Sequence, residues 1–202
     1  WREKGYTGAL TIIPQFGVDA DFFSPPSASR REESVHIAYV GRFVPEKGID
    51  VLLEALATLK GPWHATFLGS GPMEATLRER AQSLGLAESV AFAPWSSSTE
   101  MPDFYRTVDV LVLPSRRRPN WTEQFGRVLI EAMACGVAVV GSATGEIPHV
   151  IGDAGRVFPE ADADALRSIL GTLVQDPAVR QNLGARGRAR VLARRGVSRE
   201  VL

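Results

Sequence analysis

The stretch VHIAYVGRFVPEKGIDVLLEALATLK, residues 35–60, contains the pattern that decides the fold. It opens with a nearly continuous apolar run over 35–41, which is typical of a strand covered on both faces. The following residues show the i, i+3, i+4, i+7 spacing of an amphipathic helix over 49–60: Ile49, Leu52, Leu53 and Leu56. A buried strand, a loop with glycine and a helix predict the first unit of a parallel sheet covered by helices.

The same alternation of strand and helix continues along the chain. Further strands are predicted at 64–69, 89–93, 109–114, 137–142 and the short run GRVF at 155–158. Further helices are predicted at 72–85, 99–107, 124–135, 146–151, 162–175 and 177–195. We therefore expect an α/β fold with a doubly wound, Rossmann-like parallel sheet. Ligands of such sheets bind at the carboxyl ends of the strands, so the loops after strands are the candidate sites.

Residues 1–34 differ in composition from the rest of the chain. One apolar run is followed by proline, serine and charged residues, which is typical of a linker. We expect 1–34 to be the exit segment of a preceding domain and 35–202 to be the domain itself. The chain begins with Trp1 rather than Met, which suggests a fragment of a longer protein.

Composition excludes several classes of function. The chain has 202 residues, 45% of them hydrophobic, and no net formal charge, which disfavours a role centred on nucleic acid. The single cysteine, Cys135, cannot form an internal disulfide and lies in an apolar helical context, so we interpret it as a core residue of a cytoplasmic protein. No run is long and apolar enough to predict a transmembrane helix.

The loop after the first strand has the composition of an anion site. Gly41 permits a ligand to approach the backbone closely, and two cations follow, Arg42 and Lys47. Lys47 precedes a predicted helix N-terminus, which attracts anions. The alternative is a solvated loop in which Glu46 compensates Lys47, and the spacing alone leaves both open.

Two acids frame the helix that begins near residue 124. Glu131 lies among apolar residues, and a buried carboxylate needs hydrogen-bond donors. The hydroxyls of a ribose would serve, and so would an internal salt bridge with Arg127 one turn earlier. Glu123 precedes the helix and is either a residue of the ligand crevice or a solvated loop acid.

Together these loops resemble the C-terminal domain of the group-one family of retaining, nucleotide-sugar-dependent glycosyltransferases, which have the GT-B fold. YVGRFVPEKGIDVLLEAL resembles the family's phosphate loop, and SVAFAPW the strand and turn that hold the base. EQFGRVLIEAMACGVAVVGSATGEIPHVI resembles the E-x-x-x-x-x-x-x-E signature with its glycine-rich turn. The sequence departs from the family at Ala138, where proline is common, at His149, where an acid is common, and in a longer loop, SRRRPNWT.

The resemblance implies roles for particular residues. Arg42 and Lys47 would neutralise the donor diphosphate, Glu123 would contact the donor sugar, and these are the candidate catalytic residues. Glu131 would bind the ribose hydroxyls. The remaining candidate donor contacts are Gly41, Phe125, Gly126, Val128 and Leu129 through the backbone, and Ala93 and Trp95 beside the base. The resemblance implies no metal site and no cofactor other than the donor itself.

The implied activity is transfer of a glycosyl unit from a nucleotide sugar with retained anomeric configuration. A sugar, lipid or polysaccharide acceptor would bind largely to an N-terminal domain, and the chain alone would be inactive. Arg116–Arg118 would meet an anionic acceptor or a membrane surface, or form a solvated basic loop. The alternatives are a nucleotide-sugar epimerase of GT-B architecture and a non-catalytic nucleotide-binding module. A Rossmann dehydrogenase is disfavoured because no G-x-G-x-x-G follows the first strand.

Overall fold

The computed structural model describes residues 17–27, 33–95 and 97–194, together with positions 5, 7 and 8. In these residues six strands form one sheet, in the order β3-β2-β1-β4-β5-β6. Every neighbouring pair of strands is parallel. The strands are β1 Val35–Val40, β2 Trp63–Leu68, β3 Val90–Ala93, β4 Val110–Leu113, β5 Ala138–Ser142 and β6 Arg156–Phe158. This is the strand order of the Rossmann fold, so the predicted doubly wound sheet is confirmed.

Helices cover both faces of the sheet. They are α1 Ile49–Ala57, α2 Glu74–Ser83, α3 Met101–Arg106, α4 Arg127–Ala134, α5 Ile147–Ile151, α6 Ala163–Gln175 and α7 Pro177–Arg194. A short 3₁₀ helix, Pro45–Lys47, precedes α1. Each strand and helix predicted from the sequence is present, with ends that differ by a few residues.

The core forms two apolar clusters, one on each side of the sheet. Ile37 and Tyr39 of β1 belong to the cluster under α1, α2 and α6, whereas Ala38 and Val40 belong to the cluster under α3, α4 and α5. All six residues of β1 are buried. This two-sided burial explains why the strands appear in the sequence as continuous apolar runs.

Residues 17–27, which we call the N-terminal arm, pack on the domain. Ala20 and Phe23 are buried in the cluster beneath α3 and α4. Arg188 of α7 donates to the carbonyl oxygens of both residues, at 2.9 and 2.8 Å. This part of the predicted linker therefore belongs structurally to the domain, while the apolar run near residue 10 lies outside the described residues.

The described residues contain neither a membrane-spanning helix nor a cluster of metal ligands. No helix there is long and apolar enough to cross a membrane. No group of three or more His, Cys, Asp or Glu side chains there has an arrangement that could hold a metal ion.

Candidate functional site at the switch point of the sheet

The site forms where the chain changes sides between β1 and β4. The loop after β1 leads to α1 on one face, and the loop after β4 leads to α4 on the other, so a crevice opens between them. Gly48 allows the two loops to lie in contact, because a Cβ atom at this position would lie 2.1 Å from the carbonyl oxygen of Pro114. Its φ of 61° also favours glycine. The two loops singled out from the sequence are thus in direct contact.

Lys47 and Glu123 meet in this crevice. Lys47 Nζ lies 2.6 Å from Glu123 Oε2, which also accepts a hydrogen bond of 2.9 Å from Ser115 Oγ. Lys47 Nζ further lies 5.0 Å from the ring centroid of Trp121, at cation–π distance. Both ionic side chains are largely buried. The prediction of Glu123 as a crevice residue is supported over that of a solvated loop acid.

Arg42 is the more accessible of the two predicted cations. Its side chain is 69% exposed, and its nearest acid is Glu46, at 3.8 Å. The suggested compensation of Lys47 by Glu46 is therefore wrong, because Glu46 lies beside Arg42 and Lys47 pairs with Glu123. Tyr39, whose burial raises the pKa of its hydroxyl, donates that hydroxyl to the carbonyl oxygen of Arg42 at 2.8 Å. The Arg42 backbone is anchored while its guanidinium stays open to a ligand.

The glycine-rich turn after β5 fixes the backbone of Glu123. The amide of Glu146 donates to the Glu123 carbonyl oxygen at 3.0 Å. A Cβ atom on Gly145 would lie 2.1 Å from that same oxygen, and the φ of Gly145 is 55°.

His149 lies in α5, where its carbonyl oxygen accepts a hydrogen bond from Arg190 at 2.8 Å. A site role for the His149 ring stays a prediction.

Glu131 is buried and has two donors. Its residue surface is 7% exposed. Arg127 Nε donates to Oε1 at 2.8 Å, and the hydroxyl of Tyr105 donates to Oε2 at 3.0 Å. Burial raises the pKa of the Glu131 carboxyl, while the hydrogen bond from Tyr105 and the charge of Arg127 lower it. The salt bridge with Arg127 that the spacing suggested is confirmed.

The predicted start of α4 was three residues too early. The helix begins at Arg127 because Gly126 adopts a left-handed conformation, with φ 68° and ψ 55°, which an α-helix cannot include. Among the described residues no side chain caps this end. The amide of Leu129 donates to the carbonyl oxygen of Gly126 at 2.8 Å, so its predicted contact with a donor, which stays a prediction, would share this N–H between two acceptors. The contacts predicted for Phe125, Gly126 and Val128 stay predictions.

The residues predicted beside a base lie at the end of β3. Ala93 is the last residue of this strand, and its carbonyl oxygen accepts from the amide of Gly69 at 2.9 Å. Trp95 is 53% exposed. Because β3 is parallel to β1, Trp95 follows a carboxyl end at the same edge of the sheet as the crevice. Stacking on a base stays a prediction for Trp95.

The basic loop after β4 has a defined conformation. Arg116 pairs with Asp50 of α1, and the amide of Arg117 donates to Glu160 Oε1 at 2.7 Å. Arg118 and Trp121 exchange backbone hydrogen bonds in an antiparallel bridge. Arg117 and Arg118 have exposed side chains, whereas Arg116 is held by its acid. The interpretation as a merely solvated loop therefore fails for Arg116.

The profile of the family described as glycosyl transferases group 1 matches residues 22–190. The chain belongs to this family. The predicted resemblance is therefore confirmed, and the matched span includes both loops of the crevice.

Two relatives illustrate what this chain is similar to. The chain is 35% identical over 199 residues to a GDP-mannose-dependent alpha-(1-6)-phosphatidylinositol monomannoside mannosyltransferase of Mycolicibacterium smegmatis, covering 91% of this chain and 52% of the relative. It is 32% identical over 186 residues to a D-inositol 3-phosphate glycosyltransferase of Mycobacterium ulcerans, covering 85% of this chain and 38% of the relative. The chain thus spans about half, or less, of these relatives.

Solved structures confirm the fold of this chain. Sucrose-phosphate synthase from Thermosynechococcus elongatus superposes with a TM-score of 0.78 at 30% identity, over 88% of this chain and 46% of that one. The C-terminal domain of a group 1 glycosyl transferase from Francisella tularensis gives a TM-score of 0.77 at 25% identity, over 88% and 97%. The six-stranded sheet is that of a GT-B C-terminal domain, as the sequence predicted.

Three residues of the site were not predicted from the sequence. Ser115 follows β4 by two residues, a position that the strand-end rule marks and that could have been found. Trp121 lies in the loop after β4, where only the arginines were predicted to contact a ligand. No sequence motif marks Tyr105, because its contact with Glu131 depends on how two helices, α3 and α4, pack against each other.

Proposed function

We propose that this chain is the donor-binding half of an enzyme that transfers a glycosyl unit from a nucleotide-diphosphate sugar with retention of anomeric configuration. The observation that carries the proposal is the meeting of Lys47 and Glu123 at the switch point, 2.6 Å apart. A cation and an acid side by side match a ligand with a diphosphate next to a hydroxylated sugar. Rossmann-type sheets bind nucleotides at this place.

Lys47 connects the two parts of such a ligand. An ammonium group has three N–H donors, so Lys47 can bind a phosphate oxygen while it still donates to Glu123. Ser115 donates to the same Glu123 oxygen, Oε2, and leaves Oε1 for a hydroxyl of the donor sugar. Arg42, with its exposed guanidinium, would bind the diphosphate from the other side of the loop.

The proposed catalytic roles follow from where charge develops in the transition state of glycosyl transfer. The transition state of glycosyl transfer resembles an oxocarbenium ion, and negative charge grows on the departing nucleoside diphosphate. Arg42, Lys47 and the N-terminus of α4, which no described side chain caps, would stabilise that charge. We propose that these groups suffice without a metal ion or a cofactor. Glu123 orients the sugar, and no nucleophilic role is assigned to it.

The relatives favour an acceptor that carries a phosphate. One is named for phosphatidylinositol monomannoside and the other for D-inositol 3-phosphate. Arg117 and Arg118 are exposed, and the backbone of Arg118 pairs with that of Trp121, whose ring lies 5.0 Å from Lys47 Nζ, so the proposed site adjoins a positively charged loop. We propose an anionic acceptor that binds largely to residues beyond this chain. A cytoplasmic enzyme that meets a lipid acceptor at the membrane surface is consistent with this.

A melting-temperature series with GDP, UDP and ADP tests donor binding. At about 100 times its dissociation constant, the preferred nucleotide stabilises the domain by about 2.7 kcal/mol. Arg42→Ala and Lys47→Ala reduce this shift. Arg167→Ala is the control, because Arg167 contacts Asp164 and Thr58, away from the crevice. A wild-type chain that none of the three nucleotides stabilises would contradict the proposal.

Retention is tested with the full-length protein. The anomeric configuration of the newly transferred sugar is determined by NMR and compared with that of the donor. A product with inverted configuration would remove the retaining mechanism but leave donor binding intact.

A further inference from the structure

Tyr105 is a buried tyrosine whose hydroxyl has a functional partner. It lies in α3, is 0% exposed and donates to Glu131 Oε2 at 3.0 Å. Burial, and next the negative charge of Glu131, raise the pKa of the Tyr105 hydroxyl well above its usual value. The hydroxyl therefore keeps its proton throughout the neutral range and is a permanent hydrogen-bond donor.

The two oxygens of Glu131 differ in how firmly they are held. Oε1 accepts from Arg127, whose side chain is 64% exposed and can turn toward solvent or a ligand at little cost. Oε2 accepts from Tyr105, which the core surrounds. Oε1 is therefore the oxygen that can exchange its partner for a ligand hydroxyl, while Oε2 keeps the carboxylate in a fixed orientation.

Packing keeps Tyr105 in this position. The rings of Phe23 and Phe104 lie 6.1 and 6.0 Å from its ring, centroid to centroid. Phe23 belongs to the N-terminal arm, and the arm is fastened to the domain by Arg188, which donates to the Phe23 carbonyl oxygen at 2.8 Å. Arg106, the neighbour of Tyr105, donates to the carbonyl oxygen of Ser24 in the same arm at 2.9 Å. Tyr105 cannot leave Glu131 without disrupting these contacts.

We propose that Tyr105 is a positioning residue for the donor: it orients the Glu131 carboxylate so that this group accepts hydrogen bonds from the 2′,3′-diol of the nucleotide ribose. The inference rests on the proposed function and extends it to a residue that does not touch the ligand. Burial raises the pKa of the Glu131 carboxyl, and the hydrogen bond from Tyr105 lowers it. Tyr105 therefore favours the ionised carboxylate, which is the form that accepts hydrogen bonds from two hydroxyls.

The test compares a nucleotide with its analogue that lacks the diol. Calorimetry measures the affinity of the chain for GDP, UDP and ADP, and then for the 2′,3′-dideoxy form of the tightest binder. The wild type prefers the ribonucleotide on the order of 100-fold, because two hydrogen bonds to a charged group are lost in the analogue. Tyr105→Phe lowers this ratio roughly 10-fold by weakening ribonucleotide binding alone, leaving the dideoxy affinity unchanged.

Tyr39→Phe is the matched control. It removes a hydroxyl that is equally buried, but this hydroxyl donates to the Arg42 carbonyl oxygen. A general loosening of the core would change both variants alike, whereas the proposal expects Tyr39→Phe to keep the wild-type ratio within about twofold. If Tyr105→Phe fails to melt cooperatively, Phe23→Leu replaces it. That variant keeps the hydroxyl but loosens its support, and the ratio should fall in the same direction.

Glu131→Gln separates the two ways of failing. If Glu131→Gln abolishes the preference for the diol while Tyr105→Phe keeps it, the role of Tyr105 is overturned and the proposed function stands. If Glu131→Gln keeps the wild-type preference, or if the wild type binds none of the three nucleotides, the ribose site itself is overturned, and the role of Tyr105 with it.

Discussion

The binding role proposed for Glu131 requires an ionised carboxylate, which burial disfavours. Burial raises its pKa, so the fold favours the protonated carboxyl. Its contribution to stability is then fully present below the unfolded pKa and is lost as pH rises through the folded pKa. At pH 7 the ionised group therefore opposes folding, although Arg127 and Tyr105 reduce the effect.

Glu131→Gln mimics the protonated carboxyl and should relieve this opposition. We expect its free energy of unfolding at pH 7 to equal or exceed that of the wild type, because burial raises the pKa of the Glu131 carboxyl. The difference should shrink toward pH 4, where the wild-type carboxyl is itself protonated. Urea unfolding at both pH values measures it. A variant that is clearly less stable at pH 7 would show that the ionised carboxylate stabilises the fold.

Cys135, like Glu131, makes a contribution to stability that is lost as pH rises. Burial raises the pKa of its thiol from 9.0 to about 12. Below pH 9 the thiol is protonated in both states, and between pH 9 and 12 only the unfolded chain loses the proton. Stability should therefore fall with rising pH across this window, by up to about 1.4 kcal/mol per pH unit.

Cys135→Ala isolates that contribution from those of Tyr39 and Tyr105, whose raised pKa values act in the same direction. Unfolding in urea from pH 8 to 11 should show a shallower decline for the variant than for the wild type. The thiol should also react with a disulfide reagent far more slowly in the folded chain than in urea. Equal rates at pH 8 would contradict the burial of Cys135.

Individual contacts of the site were only partly predictable from sequence. The need of Glu131 for donors and its pairing with Arg127 follow from composition and helical spacing. The contact of Lys47 with Glu123 does not, although both were singled out, because it joins two loops that are distant in sequence and depends on how closely Gly48 lets them approach. Tyr105 was missed for the same reason, as its partner lies in another helix.

At the level of elements, the strands were predictable because both faces of the sheet are covered. Burial on two sides favours apolar residues at nearly every position, as in β4 and, apart from His36, in β1, and such runs are visible in the sequence. The start of α4 was not predictable, because Gly126 adopts a left-handed conformation and ends the preceding loop without interrupting the apolar pattern of the sequence. Glycines with special conformations thus decide where the loops of the site end.

Gly145 provides a prediction about one such loop. Any side chain there would meet the carbonyl oxygen of Glu123 at 2.1 Å and would have to adopt a φ of 55°. Gly145→Ala should lower the free energy of unfolding by at least about 2 kcal/mol, from backbone strain and the displaced turn. It should also weaken nucleotide binding, because Glu123 and its partner Lys47 move.

Gly171→Ala is the matched control for that change. Gly171 lies within α6, and a Cβ atom there would meet no heavy atom within 4 Å. Because alanine favours the helix over glycine, this variant should be more stable than the wild type by about 0.5–1 kcal/mol. Chemical unfolding of both proteins gives the comparison. Similar stability of the two variants would show that the turn at Gly145 tolerates a side chain.

On the scale of the whole molecule, the chain has the donor half of the proposed reaction and only part of the length of its relatives. It covers 52% of the mannosyltransferase and 38% of the inositol phosphate glycosyltransferase. The fold of this half follows from local patterns and strand order. How an acceptor would face the crevice between Lys47 and Glu123 does not, because the proposed acceptor site lies mostly on residues beyond this chain.

Donor binding and sugar transfer should therefore be separable in experiment. The purified 202-residue chain should bind its nucleotide, seen as a rise in melting temperature, but should transfer no sugar from a radiolabelled donor above background. The full-length protein should do both, and Arg42→Ala should weaken both activities there, because the donor enters each. The melting shift shows that the short chain is folded, so a missing product cannot be attributed to misfolding. Transfer by the short chain at a rate close to that of the full-length protein would place the acceptor site within these residues, with Arg117 and Arg118 as its first candidates.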